Sequence, residues 1–399
     1  MSYLPLANVL HRKLRSALCV LAVGIGIAML VVMLGLSHGT LNEVAERMES
    51  VPAELLVLPA GENAIYMGQG HFGPGYEDLI RRTTVDGRPV ARRIIPSFWE
   101  TAQLAGQKQR VFGIDRDDAA ALFGEHRIVE GRLFDEGGAF KQAVARRAGP
   151  NGAYDTDAMP PEELAPGLEI VIDTRLQRVG GYKVGDEVPM LGRTFRIVGV
   201  VETGVAGRVF APIQMLRHIS TSGLRKSTMF FVQLADPDAS ERAAAALEAA
   251  TGAQVIEKNA YRRILTDSFA QIYTYTNIAT GVALVVCFLF ILLTMYTLVL
   301  ERTREIGILR SLGATRRYIV RLAIEESLML CTGGTVVGIV LAVVAKQIIE
   351  RFLPLQTVQL EWRWIVLALF VGIVGGVGSA IYPGYRAARL DPATALAFE

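Results

Sequence analysis

Cysteine is scarce in this sequence, and its distribution excludes disulfide and thiolate chemistry from most of the chain. Only three cysteines occur in 399 residues, each inside an apolar stretch: Cys19, Cys287 and Cys331. The polar block 39–277 holds none, so we expect neither a disulfide nor a cysteine-based metal site there. Burial in an apolar core is sufficient to explain all three thiols.

Catalytic motifs are absent from the same block. Its histidines His71, His126 and His218 are scattered and form no HExxH pair, and no GxSxG turn occurs there. Its many carboxylates are explained more economically by a solvated surface than by a paired acid and base. We therefore predict a non-catalytic protein with no cofactor and no metal of its own. No GxxxxGK[ST] loop occurs in the 399 residues, so we expect ATP and magnesium to bind a separate polypeptide.

Charge is also sparse, and it is unevenly placed. Charged residues make up 20% of the chain against 51% hydrophobic residues, and the mean hydropathy is +0.33, which favours membrane segments. The net charge of +2 gives no basic field for nucleic acid. Block 39–277 has 27 Lys and Arg against 31 Asp and Glu, a net −4, whereas the remainder has 14 against 8, a net +6. This pattern is typical of an exported domain on a membrane anchor.

Four apolar windows are long enough to span a bilayer, which requires about 20 residues. The windows are 17–36, 278–300, 327–345 and 364–381. The first could also be a cleavable signal peptide, because Arg12, Lys13 and Arg15 precede it. Its apolar run is longer than the usual ~7–15 residues of a signal peptide and no A-x-A site follows, so we favour an uncleaved helix.

The basic residues predict the orientation of these helices. The loop after the second window contains six arginines, three basic residues precede the first window, and Arg386 and Arg389 follow the fourth. The positive-inside rule therefore places both termini in the cytoplasm of a bacterium and block 39–277 outside the inner membrane. The predicted segments are a cytoplasmic tail 1–16, helix 17–38, an extracytoplasmic domain 39–277, helix 278–300, a coupling segment 301–321, helix 322–345, an external loop 346–363, helix 364–382 and a tail 383–399.

Local patterns predict an α+β fold for the external domain. Strands are expected at 169–173, 187–191, 194–201, 229–234 and 254–257, with a hairpin around Gly192 and a helical turn at 174–179. A capping box from Asp238 to Glu241 should open a helix that ends at Gly252. The glycine-rich stretch 61–75 is expected to be a mobile loop. Residues 4–14 form either an amphipathic helix on the inner leaflet or a plain basic flank.

The segment 301–319 is the most informative part of the cytoplasmic side. It follows a membrane helix, its apolar residues Ile306, Leu309 and Leu312 recur at helical spacing, and Gly313 is a predicted helix stop. Such a helix can dock on a partner and carry motion into the membrane, or it can lie on acidic lipid headgroups. We predict that it couples the chain to an ATPase through Glu301, Arg302, Arg304, Glu305, Ile306, Gly307, Leu309, Arg310, Leu312, Gly313 and Ala314.

Small residues and one acid stand out in the last two helices. Gly334 and Gly338, and likewise Gly372 and Gly376, have the four-residue spacing that lets membrane helices approach closely. Glu326 is an ionisable residue at the edge of the third helix, and we predict a relay role for it. The neighbouring Glu325 is expected to pair with Arg321, one turn before it.

These residues carry a resemblance to the permeases of the MacB/FtsX/LolC group, the type VII ABC transporters. The sequence 7–29, ANVLHRKLRSALCVLAVGIGIAM, resembles the opening helix of the family, and 184–200 resembles the pattern of its periplasmic core domain. ERTREIGILRSLGAT at 301–315 is similar to its coupling segment. Glu326, Gly334 and Gly338 fit its third helix, and YPGYRAARLDPATAL at 382–396 fits its ending.

The resemblance implies that two permeases pair, as a homodimer or with a paralogue, and that a cytoplasmic ABC ATPase binds each coupling segment. It also implies that ATP binding moves the external domains and that no channel opens through the helices. A periplasmic adaptor or lipoprotein is a further partner, and membrane lipids surround the helices. MacB carries its ATPase at the N-terminus, whereas only the tail 1–16 precedes the first predicted helix here. We therefore expect an arrangement closer to FtsX, LolC or DevC. Two alternatives stay open: an FtsX-like transducer that activates an external cell-wall hydrolase, and a membrane-anchored scaffold or receptor without an ATPase.

Overall fold

The computed structural model describes residues 13–61, 70–123, 128–149, 153–301, 306, 308–309, 311–353 and 355–388. The chain forms two compact units. One, the helical unit, consists of Met1–Thr40 and Ala270–Glu399, and the other, the sheet unit, consists of Leu41–Phe269.

The helices and strands have the following bounds. The helices are α1 Lys13–Glu49, α2 Tyr76–Arg82, α3 Arg116–Phe123, α4 Ala139–Arg147, α5 Pro161–Leu164, α6 Thr174–Gly180, α7 Ile213–Thr221, α8 Ser240–Thr251, α9 Lys258–Glu301, α10 Arg316–Phe352 and α11 Trp362–Ala388. The strands are β1 Leu55–Leu58, β2 Thr84–Val85, β3 Arg88–Pro89, β4 Ala91–Leu104, β5 Gln107–Ile114, β6 Ile128–Gly131, β7 Glu169–Asp173, β8 Glu187–Met190, β9 Arg193–Val201, β10 Val209–Pro212, β11 Met229–Leu234 and β12 Gln254–Glu257.

Four of these helices, α1, α9, α10 and α11, are long and apolar enough to cross a membrane. Each contains one of the four predicted windows, which confirms the four-helix class. The helices are longer than the windows, however, because α1 continues to Glu49 and α9 already begins at Lys258. These polar extensions are helical because they have an apolar face: Ala45, Tyr261 and Leu265 lie in the core of the sheet unit, to which these residues belong.

The sheet unit is built on a ten-stranded sheet in the order β12-β1-β11-β4-β5-β10-β7-β9-β6, with β8 added beside β9. Most neighbours are antiparallel, but β10 runs parallel to β5 and β7 runs parallel to β9. Side chains of one strand alternate between two cores. In β11, for example, Phe231 belongs to the core with Phe112 and Phe210, whereas Phe230 belongs to the core with Ile80. This arrangement confirms the predicted α+β domain.

The predicted strands of the second half of the domain are present with nearly the expected bounds. The β8–β9 hairpin turns at Leu191 and Gly192, whose φ angles of 53° and 75° are both positive. Two positive φ angles are what a two-residue turn with the twist of a hairpin requires, and glycine adopts that conformation at little cost. The helix α8 ends at Gly252, with a φ of 63°, as predicted.

The predicted capping box at Asp238 is wrong. The side chain of Asp236 accepts a hydrogen bond from the amide of Asp238, and Pro237–Ala239 form a 3-10 turn before α8 begins at Ser240. Pro237 favours this earlier start because its ring fixes φ at a helical value and it has no amide hydrogen to satisfy. Asp238 therefore lies inside the turn and caps nothing.

The structure describes residues 61 and 70–75 of the predicted mobile loop 61–75. Residues 62–69 lie outside the described residues, as do residues 4–12 of the predicted amphipathic segment 4–14. Phe72, within the same stretch, is buried and exchanges two backbone hydrogen bonds with Ser227, of 2.7 and 3.2 Å. It is therefore fixed to the sheet unit, contrary to the expectation for this part of the loop.

Candidate functional site

The turn that joins the coupling segment to α10 is well defined. Ile306, Ile308, Leu309 and Ser311 are helical. The helix ends at Gly313, which has a φ of 94°, and the amide of Ala314 donates to the carbonyl of Leu309 at 3.0 Å. Such a bond across a left-handed glycine is a common helix ending. The helix stop predicted at Gly313 is confirmed.

Burial divides the apolar residues of this segment into two sets. Ile306 is 8% exposed and packs against Ile319 of α10, with Leu309 and Ala314 beside them. Leu312 is 80% exposed and Ile308 is 43% exposed. The sequence pattern placed Ile306 and Leu312 on one docking face, but the turn at Gly313 brings α10 back over Ile306. The apolar surface open to a partner therefore includes Leu312 and Ile308, and the pattern missed Ile308.

The remaining residues predicted for coupling are only partly described. The backbone of Glu301 ends α9, but its side chain lies outside the described residues. Outside them as well are Arg302, Arg304, Glu305, Gly307 and Arg310.

Glycines bring α10 against α1 within the helical unit. A Cβ placed on Gly334 would lie 2.5 Å from the Cβ of Val23, and one on Gly338 would lie 2.7 Å from the carbonyl oxygen of Gly24. Both distances are shorter than real Cβ atoms tolerate. The two glycines predicted from their spacing thus lie at a close contact inside one chain.

The contact between α10 and α11 uses the second pair of glycines and two hydroxyl groups. A Cβ on Gly376 would meet the side chain of Cys331 at 3.0 Å, and one on Gly372 would collide with the hydroxyl of Thr335. The hydroxyl of Ser327 donates to the carbonyl of Gly376 at 2.8 Å. Interhelical hydrogen bonds of this kind add to packing where no water competes.

The two acids at the start of α10 have different surroundings. Glu326 is buried, at 3% exposure. Glu325 accepts a 2.7 Å hydrogen bond from Nε of Arg321, which confirms the predicted pair.

A third glycine pair, which was not predicted, is Gly35 and Gly39 in α1. The loop at 355–359 lies against them: the amide of Gln359 donates to the carbonyl of Gly35 at 3.1 Å, and a Cβ on Gly39 would collide with the carbonyl oxygen of Thr357. Their four-residue spacing is the signal that identified the other pairs. With Ser37 they also match GxSxG, but they lie inside a helix and not at the strand-to-helix turn that exposes a catalytic serine.

In the sheet unit, an ion-pair network attaches the end of α1 to the sheet. The guanidinium of Arg47 donates to Asp173 at 3.2 Å, to Glu43 at 3.1 Å and to the carbonyl of Gly207 at 3.1 Å. Glu43 also accepts from Arg208, and from Arg175 at 3.2 Å. Arg47 is 7% exposed and Asp173 is fully buried.

Arg208 is a member of this network whose pKa is shifted. Burial, together with the nearby charge of Arg47, lowers the pKa of Arg208 to about 10, so its guanidinium remains protonated. Asp173 also accepts a 2.6 Å hydrogen bond from the amide of Leu176, which caps α6. A second ion pair, from Arg262 of α9 to both carboxylate oxygens of Glu49 at 2.9 Å, joins α9 to α1 within the sheet unit. No group of three or more metal-ligating side chains comes together in the part of the chain that the structure describes.

Four membrane-length helices and a large α/β unit inserted between the first two define a class: membrane proteins with one folded domain outside the bilayer core. Comparison with known families is more specific. The profile of the MacB-like periplasmic core domain matches residues 16–250, and that of the FtsX-like permease C-terminal domain matches residues 277–392. The chain therefore belongs to the MacB/FtsX family of ABC transporter permeases.

Several relatives resemble nearly the whole chain. The macrolide export ATP-binding/permease protein MacB of Acinetobacter baylyi is 23% identical over 97% of this chain and 58% of its own length. MacB of Bdellovibrio bacteriovorus is 25% identical over 97% and 60%, respectively. The pyoverdine export ATP-binding/permease protein PvdT of Pseudomonas syringae pv. tomato is 25% identical over 97% and 58%. The chain thus spans about three fifths of the length of these relatives.

Among solved structures, the similarity extends over part of this chain. The periplasmic region of MacB from Actinobacillus actinomycetemcomitans is 12% identical and covers 54% of this chain and 92% of that region, with a TM-score of 0.35. That score is too low to establish a shared fold by itself, and the family assignment depends on the two profiles.

Proposed function

We propose that the chain is the permease subunit of an ABC export complex, in which a separate cytoplasmic ATPase drives movement of the extracytoplasmic sheet unit. The observation that carries this proposal is the pair of family profiles, which together extend over residues 16–250 and 277–392. The relatives are named as ATP-binding/permease proteins for macrolide or pyoverdine export. By analogy, the cargo proposed here is an amphiphilic small molecule that the complex moves outward across the bacterial envelope.

The ATPase is proposed as a partner because the 399 residues contain no GxxxxGK[ST] loop. The permease itself then performs no catalysis and binds no nucleotide, and ATP and magnesium bind the partner. Two copies of the permease, or this chain and a paralogue, would pair so that each meets one ATPase. A denaturing gel of the native protein tests the separation, since a fused ATPase would raise the mass well above 43.4 kDa.

The proposed contact with the ATPase is centred on Leu312 and Ile308. Leu312 is 80% exposed at the end of a helix, and Ile308 lies one turn before it at 43% exposure. Fully burying each of these side chains in a partner groove would contribute about 1.5–3 kcal/mol. Ile306 supports the same contact from beneath, because its packing on Ile319 holds the segment against α10.

We expect the double change Ile308→Asp and Leu312→Asp to abolish co-purification of the ATPase, while the chain still inserts in the membrane. Two charged groups in an apolar interface lose the burial energy and add a desolvation cost. The measurement is ATPase recovered with a tagged permease from detergent-solubilised membranes, together with stimulated ATP hydrolysis.

Leu79→Asp is the matched control, because Leu79 is also 43% exposed but lies on α2 of the sheet unit. It should leave ATPase recovery unchanged. Normal recovery with the double variant would show that the ATPase binds elsewhere. The outward transport of macrolides or a siderophore by cells with and without the permease tests the export role separately.

A further inference from the structure

A groove of about 600 Å³ lies at the start of α10 and has a basic rim and an apolar floor. Its lining comes from α10 and from Tyr385 of α11, all within the helical unit. On α10, two adjacent rows of side chains at i, i+4 spacing form it. One row contains Arg316, Val320 and Ile324, and the other contains Arg317, Arg321 and Glu325.

The groove exists because α11 approaches α10 closely at one point and leaves it at the next. A Cβ on Gly384 would lie 3.1 Å from the Cβ of Ala323 and 3.5 Å from the Cα of Val320. The following residue, Tyr385, is 51% exposed and forms the opposite wall. Missing side-chain bulk at Gly384 thus brings α11 close to α10 and places Tyr385 at the wall of the groove.

The charges that surround the groove are mainly positive. Arg316 and Arg317 are exposed at its mouth. Arg321 pairs with Glu325, so these two groups cancel each other. Arg386, the next basic residue of α11, is placed with its guanidinium 5.1 Å from the ring of Tyr296. The net charge that the described side chains present to an occupant is therefore that of Arg316 and Arg317.

The position of the groove along α10 relates it to the bilayer. At about 1.5 Å per residue, the helix rises roughly 12 Å from Arg316 to Ile324. The uncharged stretch of the membrane span begins three residues later, at Ser327. The rim therefore lies at headgroup depth and the floor lies next to the hydrocarbon core.

We propose that this groove binds one anionic phospholipid, with the phosphate between Arg316 and Arg317 and the start of an acyl chain along Val320, Ile324 and Tyr385. A phosphate accepts hydrogen bonds from guanidinium groups in a fixed geometry, so arginine suits this task better than a point charge would. A zwitterionic lipid offers the same acyl chain but no net charge. A soluble phosphate offers the charge but has no acyl chain that could contact the apolar floor.

The test is a lipid titration of the purified full chain in non-ionic detergent, followed by native mass spectrometry. The wild-type chain should retain one phosphatidylglycerol in preference to phosphatidylcholine. Each basic group near an anionic headgroup contributes roughly fivefold in affinity. We therefore expect Arg316→Gln with Arg317→Gln to reduce that preference by about thirtyfold.

Two controls separate this site from general attraction to basic residues. Arg351→Gln removes an exposed charge at the other end of α10 and should leave the preference unchanged. Ile324→Trp keeps every charge but fills the floor, and it should also displace the lipid. Circular dichroism shows whether each variant is folded. If the glutamine variant is not, the charge-conserving variant Arg316→Lys with Arg317→Lys replaces it in the comparison, and it should still bind phosphatidylglycerol.

Each of the following results would overturn the proposal. The wild-type chain could retain both lipids equally, or the double glutamine variant could retain phosphatidylglycerol as well as the wild type does. Glycerol 3-phosphate at millimolar concentration could displace the lipid, which would assign the arginines to a free phosphate. Unchanged lipid binding in the glutamine variant, together with lost ATPase recovery, would assign the arginines to a protein surface instead.

Discussion

At the scale of single residues, Arg47 is a charge whose removal should cost much stability, because it is buried among its partners. Its guanidinium is buried and donates hydrogen bonds to the carboxylates of Glu43 and Asp173 and to the carbonyl of Gly207. These acceptors compensate its positive charge. Desolvation of the charged groups opposes the formation of such a network. Removing one partner costs still more free energy, because the other partner is left buried and unpaired. The network joins the end of α1 to the strand end at Asp173.

We expect Arg47→Ala to destabilise the sheet unit by about 3–5 kcal/mol, since it leaves Asp173 without its guanidinium partner. Hydrogen exchange at residues 41–52 of the full chain in detergent measures the loss, which should appear as faster exchange. Arg196→Ala is the matched control, because its ion pair with Glu187 has both side chains about 60% exposed. Exposed ion pairs contribute less than about 1 kcal/mol to stability. Hydrogen exchange at residues 41–52 should therefore hardly change in this variant. Equal effects of the two variants would contradict the role assigned to the network.

The sequence could not predict this network. Arg47 and Asp173 are 126 residues apart, and nothing in a single sequence indicates which distant charges meet. For Asp173, the sequence predicted only the local structure: the end of a buried strand followed by a helical turn. It did not predict which side chains Asp173 contacts. The pair of Arg321 and Glu325 was predictable, because four residues of one helix fix their geometry.

At the scale of elements, the loop at 355–359 is fixed to α1 because two glycines of that helix lack side chains. The amide of Gln359 reaches the carbonyl of Gly35, and Thr357 lies against Gly39. Gly39 and Thr357 are 318 residues apart in sequence, yet backbone meets backbone there. Any side chain at position 39 must push the loop away.

We expect Gly39→Ala to destabilise the helical unit by about 1–3 kcal/mol, the usual cost of overfilling a packed site. Gly375→Ala in α11 is the control, because a Cβ there meets no atom within 4 Å. In an open helical position alanine is favoured over glycine, so that variant should be neutral or up to about 1 kcal/mol more stable. Thermal unfolding in detergent, followed by circular dichroism, compares the two. A lower midpoint for Gly375→Ala than for Gly39→Ala would refute this account of the contact.

Elements differed in how well the sequence predicted them. The apolar windows and the strands of the second half of the sheet unit were found because period and length suffice for them. The helical extensions of α1 beyond residue 38 and of α9 before residue 278 were not predicted, because these polar residues are helical through tertiary packing of Ala45 and Tyr261. Spacing identified an apolar face that includes Ile306, but spacing does not reveal that Ile319 of the same chain covers this side chain.

At the scale of the whole molecule, charge decides which side of the membrane each part occupies. The sheet unit lies within block 39–277, which has net −4, whereas the chain outside that block has net +6, much of it in the six arginines between positions 302 and 321. Cytoplasmic loops of membrane proteins carry an excess of Lys and Arg, and large domains translocate largely regardless of their charge. The segment that contains Ser311 is therefore predicted on the cytoplasmic side, and the sheet unit on the other.

We expect a cysteine at Ala249 to react with a membrane-impermeant maleimide in intact spheroplasts, and a cysteine at Ser311 not to react. Both positions are exposed and helical, so access to the reagent and not burial decides the result. The native thiols of Cys19 and Cys331 are buried, and the unsubstituted chain provides the background signal. Permeabilised cells are the control, since both cysteines should then react equally. Reaction at Ser311→Cys but not at Ala249→Cys in intact spheroplasts would reverse the orientation and remove the coupling segment from the reach of a cytoplasmic ATPase.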